Sequence, residues 1–151
     1  MACRYRHWRE SVKVGPYIVF ASSLWGMEGH DIGMNQPDFG LYLDEGWGTV
    51  RANYSREIIN WYDRRAVDVG VIDAMVKKII GKCRSGKQVE IACVAGHGRT
   101  GTVLACLLVE LEHLEPKTAI NTLRERYCEM AVETRDQQQL VADYYAYRKQ
   151  Q

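Results

Sequence analysis

The spacing of apolar positions changes several times along this chain, and each change predicts an element. Residues 16–21, Pro-Tyr-Ile-Val-Phe-Ala, form a short run rich in β-branched and aromatic side chains and predict a first strand. Residues 22–38 hold Ser22, Ser23, Gly26, Gly29, Gly33, Asn35 and Pro37, which predicts a long loop of the kind that often carries function. Phe39 to Leu43 predicts a second strand, Asp44 to Ser55 a turn-rich connection, and Arg56 to Trp61 a third strand. From Asp68 the period lengthens: Val69, Ile72, Met75, Val76, Ile79 and Ile80 fall on one helical face, with Asp68 placed to cap it and Ser85-Gly86 to end it. Lys87 to Ala92 predicts a fourth strand. Arg99 to Glu112 is apolar on most faces and predicts a buried central helix. Pro116 opens another helix running to about Tyr127, and Thr134 with Gln137 forms a capping-box pattern ahead of the last one. Strands first, then alternation, then helices predict an α/β or α+β domain with a sheet of about four or five strands beside a helical cluster.

Length and composition narrow this further. The 151 residues suit a single domain, residues 1–151, with a real core. A net charge of +1 gives no general attraction to nucleic acid or membranes, and no apolar run is long enough for a membrane span. The first residues are basic without an apolar stretch, unlike a secretory signal. Five cysteines, at 3, 83, 93, 106 and 128, form an odd set without framework spacing. That predicts free thiols and a reducing, cytoplasmic setting. No Cys-x-x-Cys or His-x-x-x-His pair marks a metal site, so neither metal nor cofactor is expected.

The chemistry concentrates in Cys93-Val94-Ala95-Gly96-His97-Gly98-Arg99-Thr100-Gly101. A strand, a glycine-rich turn and a helix start in sequence can cradle a phosphate on backbone N–H groups. The same donors stabilise a thiolate, so Cys93 at the base of the cradle is a candidate nucleophile. At a background of about 7% per position, the glycines at 96, 98 and 101 cut the chance of this pattern more than a thousandfold. A tight βα turn around a small buried cysteine would explain the glycines but not Arg99. An arginine in the first turn of a helix stands against the dipole, and its planar fork fits two oxygens of a bound phosphoryl group.

This segment resembles the Cys-x5-Arg signature of the cysteine-based protein tyrosine phosphatase superfamily, and in detail its compact dual-specificity-like branch. The resemblance extends from about residue 56 to the C-terminus and implies a largely parallel central sheet flanked by helices. It implies that Cys93 attacks phosphorus to form a phosphocysteine. The N–H groups of Val94, Ala95, Gly96, His97, Gly98 and Arg99, with the Arg99 side chain, would hold the phosphoryl oxygens. Thr100 would offer its hydroxyl to the sulfur as it leaves. Trp61-Tyr62-Asp63-Arg64-Arg65-Ala66-Val67-Asp68 resembles the acid loop of that family and implies that Asp63 protonates the leaving group. Asp68 is the rival acid, though its position favours capping. Met130 to Gln137 resembles the loop whose glutamine places the hydrolytic water, which would be Gln137, a residue equally explained by the capping box. Arg124 matches an arginine with a structural role.

Three departures qualify the match. Ala92 stands where the family usually has a histidine that shapes the loop, which implies slower turnover. Tyr62 and Val67 replace the two prolines of the acid loop. His97 occupies a variable position expected to line the pocket mouth, where it would favour polyanionic substrates. No dedicated phosphotyrosine loop precedes Asp63, so a shallow pocket is expected, with Trp25 to Pro37 and Trp47 as rim or core candidates. The reading is therefore a metal-independent hydrolase of phosphomonoesters of the phosphotyrosine, phosphoserine and phosphothreonine type, acting on a phosphorylated protein or other phosphomonoester. A phosphate-binding interaction domain without turnover, and the same chemistry on a phosphoinositide or an RNA 5′-phosphate, are the alternatives.

Overall fold

A computed structural model describes residues 6–28 and 35–151. Among the described residues, five strands form one sheet: β1 (Glu10–Val14), β2 (Tyr17–Ser23), β3 (Phe39–Tyr42), β4 (Ser55–Ile58) and β5 (Val89–Cys93), in the order β1-β2-β5-β3-β4. β1 runs antiparallel to β2, and every other pairing is parallel. Four helices follow or interleave: α1 (Val69–Arg84), α2 (Gly98–Glu112), α3 (Pro116–Arg126) and α4 (Arg135–Lys149). The α/β sheet-and-helix architecture is the one expected. Strand β1 was not anticipated; it joins β2 through a tight turn at Gly15, whose φ of +59° suits a residue without a Cβ.

The central strand shows why the site forms where it does. All five β5 residues are buried, and alternate ones face opposite sides. Val89, Ile91 and Cys93 join the main core with Leu104, Leu107 and Leu108 of α2. Ala92 joins a smaller cluster with Tyr42 and Trp47 on the other face. Glu90 faces that side too, fully buried, and is satisfied by the hydroxyls of Ser22 (2.7 Å) and Tyr42 (2.6 Å) and by Arg9 Nε (3.1 Å). Helix α2 is the hub: it packs on α1, α3, α4, β1 and β5, and its first twelve residues are buried. β5 therefore delivers Cys93 at its C-terminal end, beside the N-terminus of the central helix, where α/β sheets place ligand sites.

Candidate active site

The loop joining β5 to α2 is held from outside by its carbonyl groups. Cys93 O accepts from Leu24 N (2.9 Å) and from the Trp47 indole (3.2 Å). Val94 O accepts from Trp25 N (3.3 Å), Gly96 O from the Tyr127 hydroxyl (2.5 Å), and His97 O from Val132 N (3.3 Å) and Gly101 N (2.9 Å). Gly98 O takes the Thr102 hydroxyl at 2.6 Å. Within the loop, Gly96 N donates to Cys93 Sγ at 3.2 Å. Gly96 makes the turn at φ +83°, and a Cβ on Gly101 would come within 2.7 Å of Val132 N, so both positions require glycine. Burial, reinforced by the charges of Cys93 and Glu10, keeps the Tyr127 hydroxyl protonated well above its ordinary range, so it remains a donor to the loop.

Arg99 is 1% exposed, and one edge of its guanidinium is fully committed. Nη1 donates to Leu43 O (3.0 Å), Trp61 O (2.6 Å) and Asp44 Oδ2 (2.7 Å). Nε is buried with no partner, and Nη2 has the Asp63 carboxylate at 3.6 Å. The Nε–Nη2 edge is thus the fork available to two oxygens of an anion. Asp44, in the turn-rich connection that follows the second predicted strand, fixes that orientation while its other oxygen accepts from Gly46 N at 2.7 Å. Its position at the end of β3, the neighbour of β5, is the signal that could have found it.

The other expected site residues distribute as follows. Thr100 Oγ1 is buried beside the loop without a partner. Gln137 completes the capping box: Oε1 accepts from Thr134 N (3.2 Å) and Glu133 N (3.1 Å), and Thr134 Oγ1 accepts from Gln137 N. Its amide nitrogen is left over, buried and without a partner, and a Cβ on Gly98 would sit 2.9 Å from it. Asp63 is two-thirds exposed. Its loop is pinned by the Trp61 indole on Arg65 O (2.8 Å), the Thr134 hydroxyl on Arg64 O (3.0 Å) and an Arg64–Glu133 ion pair at 3.6 Å. The acid and glutamine segments are thereby tied together without the two prolines. Asp68 precedes α1 but makes no side-chain cap bond, against expectation. Arg124 is structural, donating to Ala131 O and Val132 O.

Three expectations need correction. His97 does not line the pocket mouth: it is fully buried, with Nε2 3.1 Å from His7 Nε2, and the half-buried Val94 and Ala95 form the outward end of the loop. Trp47 is core, stacked on Tyr42, while Trp25 is half-exposed; residues 29–34 of the proposed rim lie outside the described residues. The cysteines are not all free, since Cys128 is disulfide-bonded. Cys83 and Cys106 are free, and burial raises the pKa of both, which disfavours their thiolates.

A family model described as PTP-SAK, Swiss Army Knife protein, DSP-PTPase phosphatase domain, matches residues 38–143. The chain belongs to this family. The match takes in Asp44, Asp63, the Cys93–Gly101 loop and Gln137, and excludes β1 and β2. Two proteins of Methanocaldococcus jannaschii are similar in sequence. "Uncharacterized protein MJ0215" is 42% identical over 82 residues, 54% of this chain and 48% of that protein. "Uncharacterized protein MJECL20" is 42% identical over 73 residues, 48% of each. The chain thus spans about half the length of the curated relatives it matches. Among solved structures, Tk-PTP in the active form superposes with a TM-score of 0.76 at 20% identity, covering 92% of this chain and 98% of that one. The human tyrosine phosphatase-like serine/threonine/tyrosine-interacting protein gives 0.75 at 12% identity, over 94% and 99%. Human DUSP28 gives 0.73 at 15%, over 93% and 99%. These likenesses establish the family fold.

Proposed function

We propose that this chain is a cysteine-dependent phosphatase that hydrolyses phosphomonoesters through a phosphocysteine. The observation that carries the reading is a set of buried polar groups around one thiol. Arg99 Nε, Thr100 Oγ1 and Gln137 Nε2 are all buried at the loop that holds Cys93, without partners among the described residues. Stranding three such groups costs about 1–3 kcal/mol each; a phosphoryl oxygen over Cys93 would satisfy Arg99 Nε, the Cys93 sulfur would satisfy Thr100, and the attacking water would satisfy Gln137.

In the proposed first step the Cys93 thiolate attacks phosphorus. The Arg99 Nε–Nη2 edge and the inward N–H groups of the loop take up the charge of the equatorial oxygens, and the dipole of α2 adds to it. As the ester bond breaks, Asp63 gives its proton to the leaving oxygen. In the second step the Gln137 amide orients a water, Asp63 takes its proton, and the new P–O bond forms as the P–S bond breaks. The Thr100 hydroxyl donates to the departing sulfur, which leaves as thiolate. The buried His97 side chain contributes no charge at the mouth, which removes the reason for favouring polyanionic substrates. Accessible phosphomonoesters of phosphorylated proteins are the proposed class.

The test is release of phosphate from an aryl phosphate by the reduced protein and by Cys93→Ser. The expected result is turnover by the first alone, with a mass increase of one phosphoryl group at Cys93 after rapid quenching. Equal inertness of both across about pH 5–7, with phosphate binding retained, would replace the enzyme by a phosphate-binding interaction domain.

A further inference from the structure

Beside the loop, three side chains from distant parts of the chain converge. His7 precedes β1, His97 stands in the loop, and Cys128 follows α3. All three are buried, at 4%, 0% and 4% exposure. One ligand-type atom from each lies within 4.8 Å of the others. The two imidazoles meet nitrogen to nitrogen, Nε2 to Nε2 at 3.1 Å, with their rings edge to face. The far nitrogen of His7 is 2.9 Å from the Glu10 carboxylate. A carboxylate behind an imidazole holds the proton on Nδ1 and turns the Nε2 lone pair inward, the arrangement that supports metal-bound histidines.

We propose that His7, His97 and Cys128 form a zinc site that clamps the glycine-rich loop to the N-terminal segment and to the turn after α3. Imidazole and thiolate are the ligands zinc prefers, at about 2.0–2.1 Å for nitrogen and 2.3 Å for sulfur. Tetrahedral angles at those lengths put two nitrogens about 3.3 Å apart, and nitrogen and sulfur about 3.5 Å apart. The observed 3.1 Å and the limit of 4.8 Å differ from these by small side-chain movements. The three ligands come from three separate segments, so no Cys-x-x-Cys or His-x-x-x-His pair announces the site. Cys3, four positions before His7, lies outside the described residues.

The site adjoins the working backbone. A Cβ on Gly96 would approach His7 Cδ2 at 3.2 Å, and Tyr127, which donates to Gly96 O, packs on the His7 ring at 4.7 Å between centroids. Zinc here would stiffen the loop without touching the proposed reacting atoms, so the inference stands or falls separately from the phosphatase reading. Cys128 is disulfide-bonded in the structure, so the metal form is the reduced one. A dithiol reduces the disulfide to two thiols and itself becomes a disulfide. Zinc then replaces the proton of the Cys128 thiol.

The experiment uses the full chain carrying Cys93→Ser, which removes the catalytic thiol as a competing ligand. The protein is reduced with a dithiol, desalted, and titrated with Co²⁺ and then Zn²⁺. One equivalent of Co²⁺ is expected, with thiolate-to-cobalt charge transfer and the intense d–d bands of a tetrahedral ion, displaced by Zn²⁺. Cys128→Ser should abolish the charge-transfer band, and His97→Gln should lower affinity at least 100-fold. Glu10→Gln should weaken binding about 10- to 100-fold. Absence of stoichiometric binding by the folded, reduced protein overturns the proposal, as does an unchanged spectrum in Cys128→Ser. If Cys128→Ser does not fold, alkylation of Cys128 in the parent protein decides. Zinc should suppress it, and an unchanged rate overturns the site.

Discussion

Asp44→Asn tests the claim that Asp44 sets the orientation of Arg99. The substitution keeps the size of the side chain, and its amide oxygen can still accept from Gly46 N. That forces the amide NH₂ toward Nη1 of Arg99, setting donor against donor where the carboxylate now accepts at 2.7 Å. Losing a hydrogen bond to a charged group costs about 1.5–3 kcal/mol, and breaking a buried ion pair about 3–5. Two features pull the value to the low end. Asp44 is 23% exposed, and Nη1 keeps its two carbonyl acceptors, Leu43 O and Trp61 O. The expected loss is about 2 kcal/mol, a fall in Tm of about 4–8 °C for a domain of this size. Thermal melts followed by circular dichroism at neutral pH measure it, alone and in an Arg99→Met background. If Asp44 acts through Arg99, the same change in Arg99→Met should be nearly neutral, with a coupling energy above about 1 kcal/mol. A Tm change below about 1 °C, or an equal loss in both backgrounds, refutes the assignment.

Asp63→Asn should slow hydrolysis of alkyl phosphates about 10²- to 10⁴-fold, and nitrophenyl esters much less, because only the poor leaving group needs the proton; an unchanged alkyl rate removes Asp63 as the acid. Gly101→Ala should destabilise by about 1–3 kcal/mol in denaturant melts, since its Cβ would sit 2.7 Å from backbone at Val132. The side-chain hydrogen bond from Arg126 holds the Glu112 carboxyl below its ordinary range. Its contribution is therefore present above that range and lost as pH falls through the lowered value, so Glu112→Gln should flatten the acid limb of a Tm–pH profile and leave neutral pH differences unchanged with pH.

The sheet and helices were legible wherever burial is one-sided and long enough to register. Helix α2 announces itself through Val103, Leu104, Leu107, Leu108 and Leu111, and α4 through the Thr134–Gln137 box. β1 was missed because Glu-Ser-Val-Lys-Val offers only two buried positions, Val12 and Val14, on an edge strand. The predicted strand at 56–61 stops at Ile58, because Trp61 turns inward and its indole closes a bend onto Arg65 O. Cys93 and Arg99 could be found because the glycine-rich pattern that carries both lies within one short segment. Trp47 and Tyr127 could not, since each reaches the loop from more than thirty residues away, and Asp44 was marked only by its place at the end of a predicted strand. His97 was misplaced for the same reason: its burial depends on His7, ninety residues earlier.

That dispersal bears on the missing histidine before the nucleophile. Ala92 leaves one side chain fewer to shape the loop, which the sequence alone reads as a weakness. In the structure the loop is shaped by donors reaching its carbonyls from five other residues: Leu24, Trp25, Trp47, Tyr127 and Val132. Ala92 itself is fully buried, and its carbonyl accepts from Leu43 N at 2.8 Å. A ring at 92 would project to the face where Tyr42 and Trp47 stack, and Trp47 already fills that space while donating to Cys93 O. The small residue at 92 and the large one at 47 are then two parts of one solution, in which an indole on the neighbouring segment supplies the loop-holding hydrogen bond. Trp47→Phe keeps the packing and deletes that bond. It should lower turnover while leaving Tm within about 2–4 °C of the parent, the shift of roughly one neutral hydrogen bond. An unchanged kcat would mean that the remaining four donors hold the loop without it.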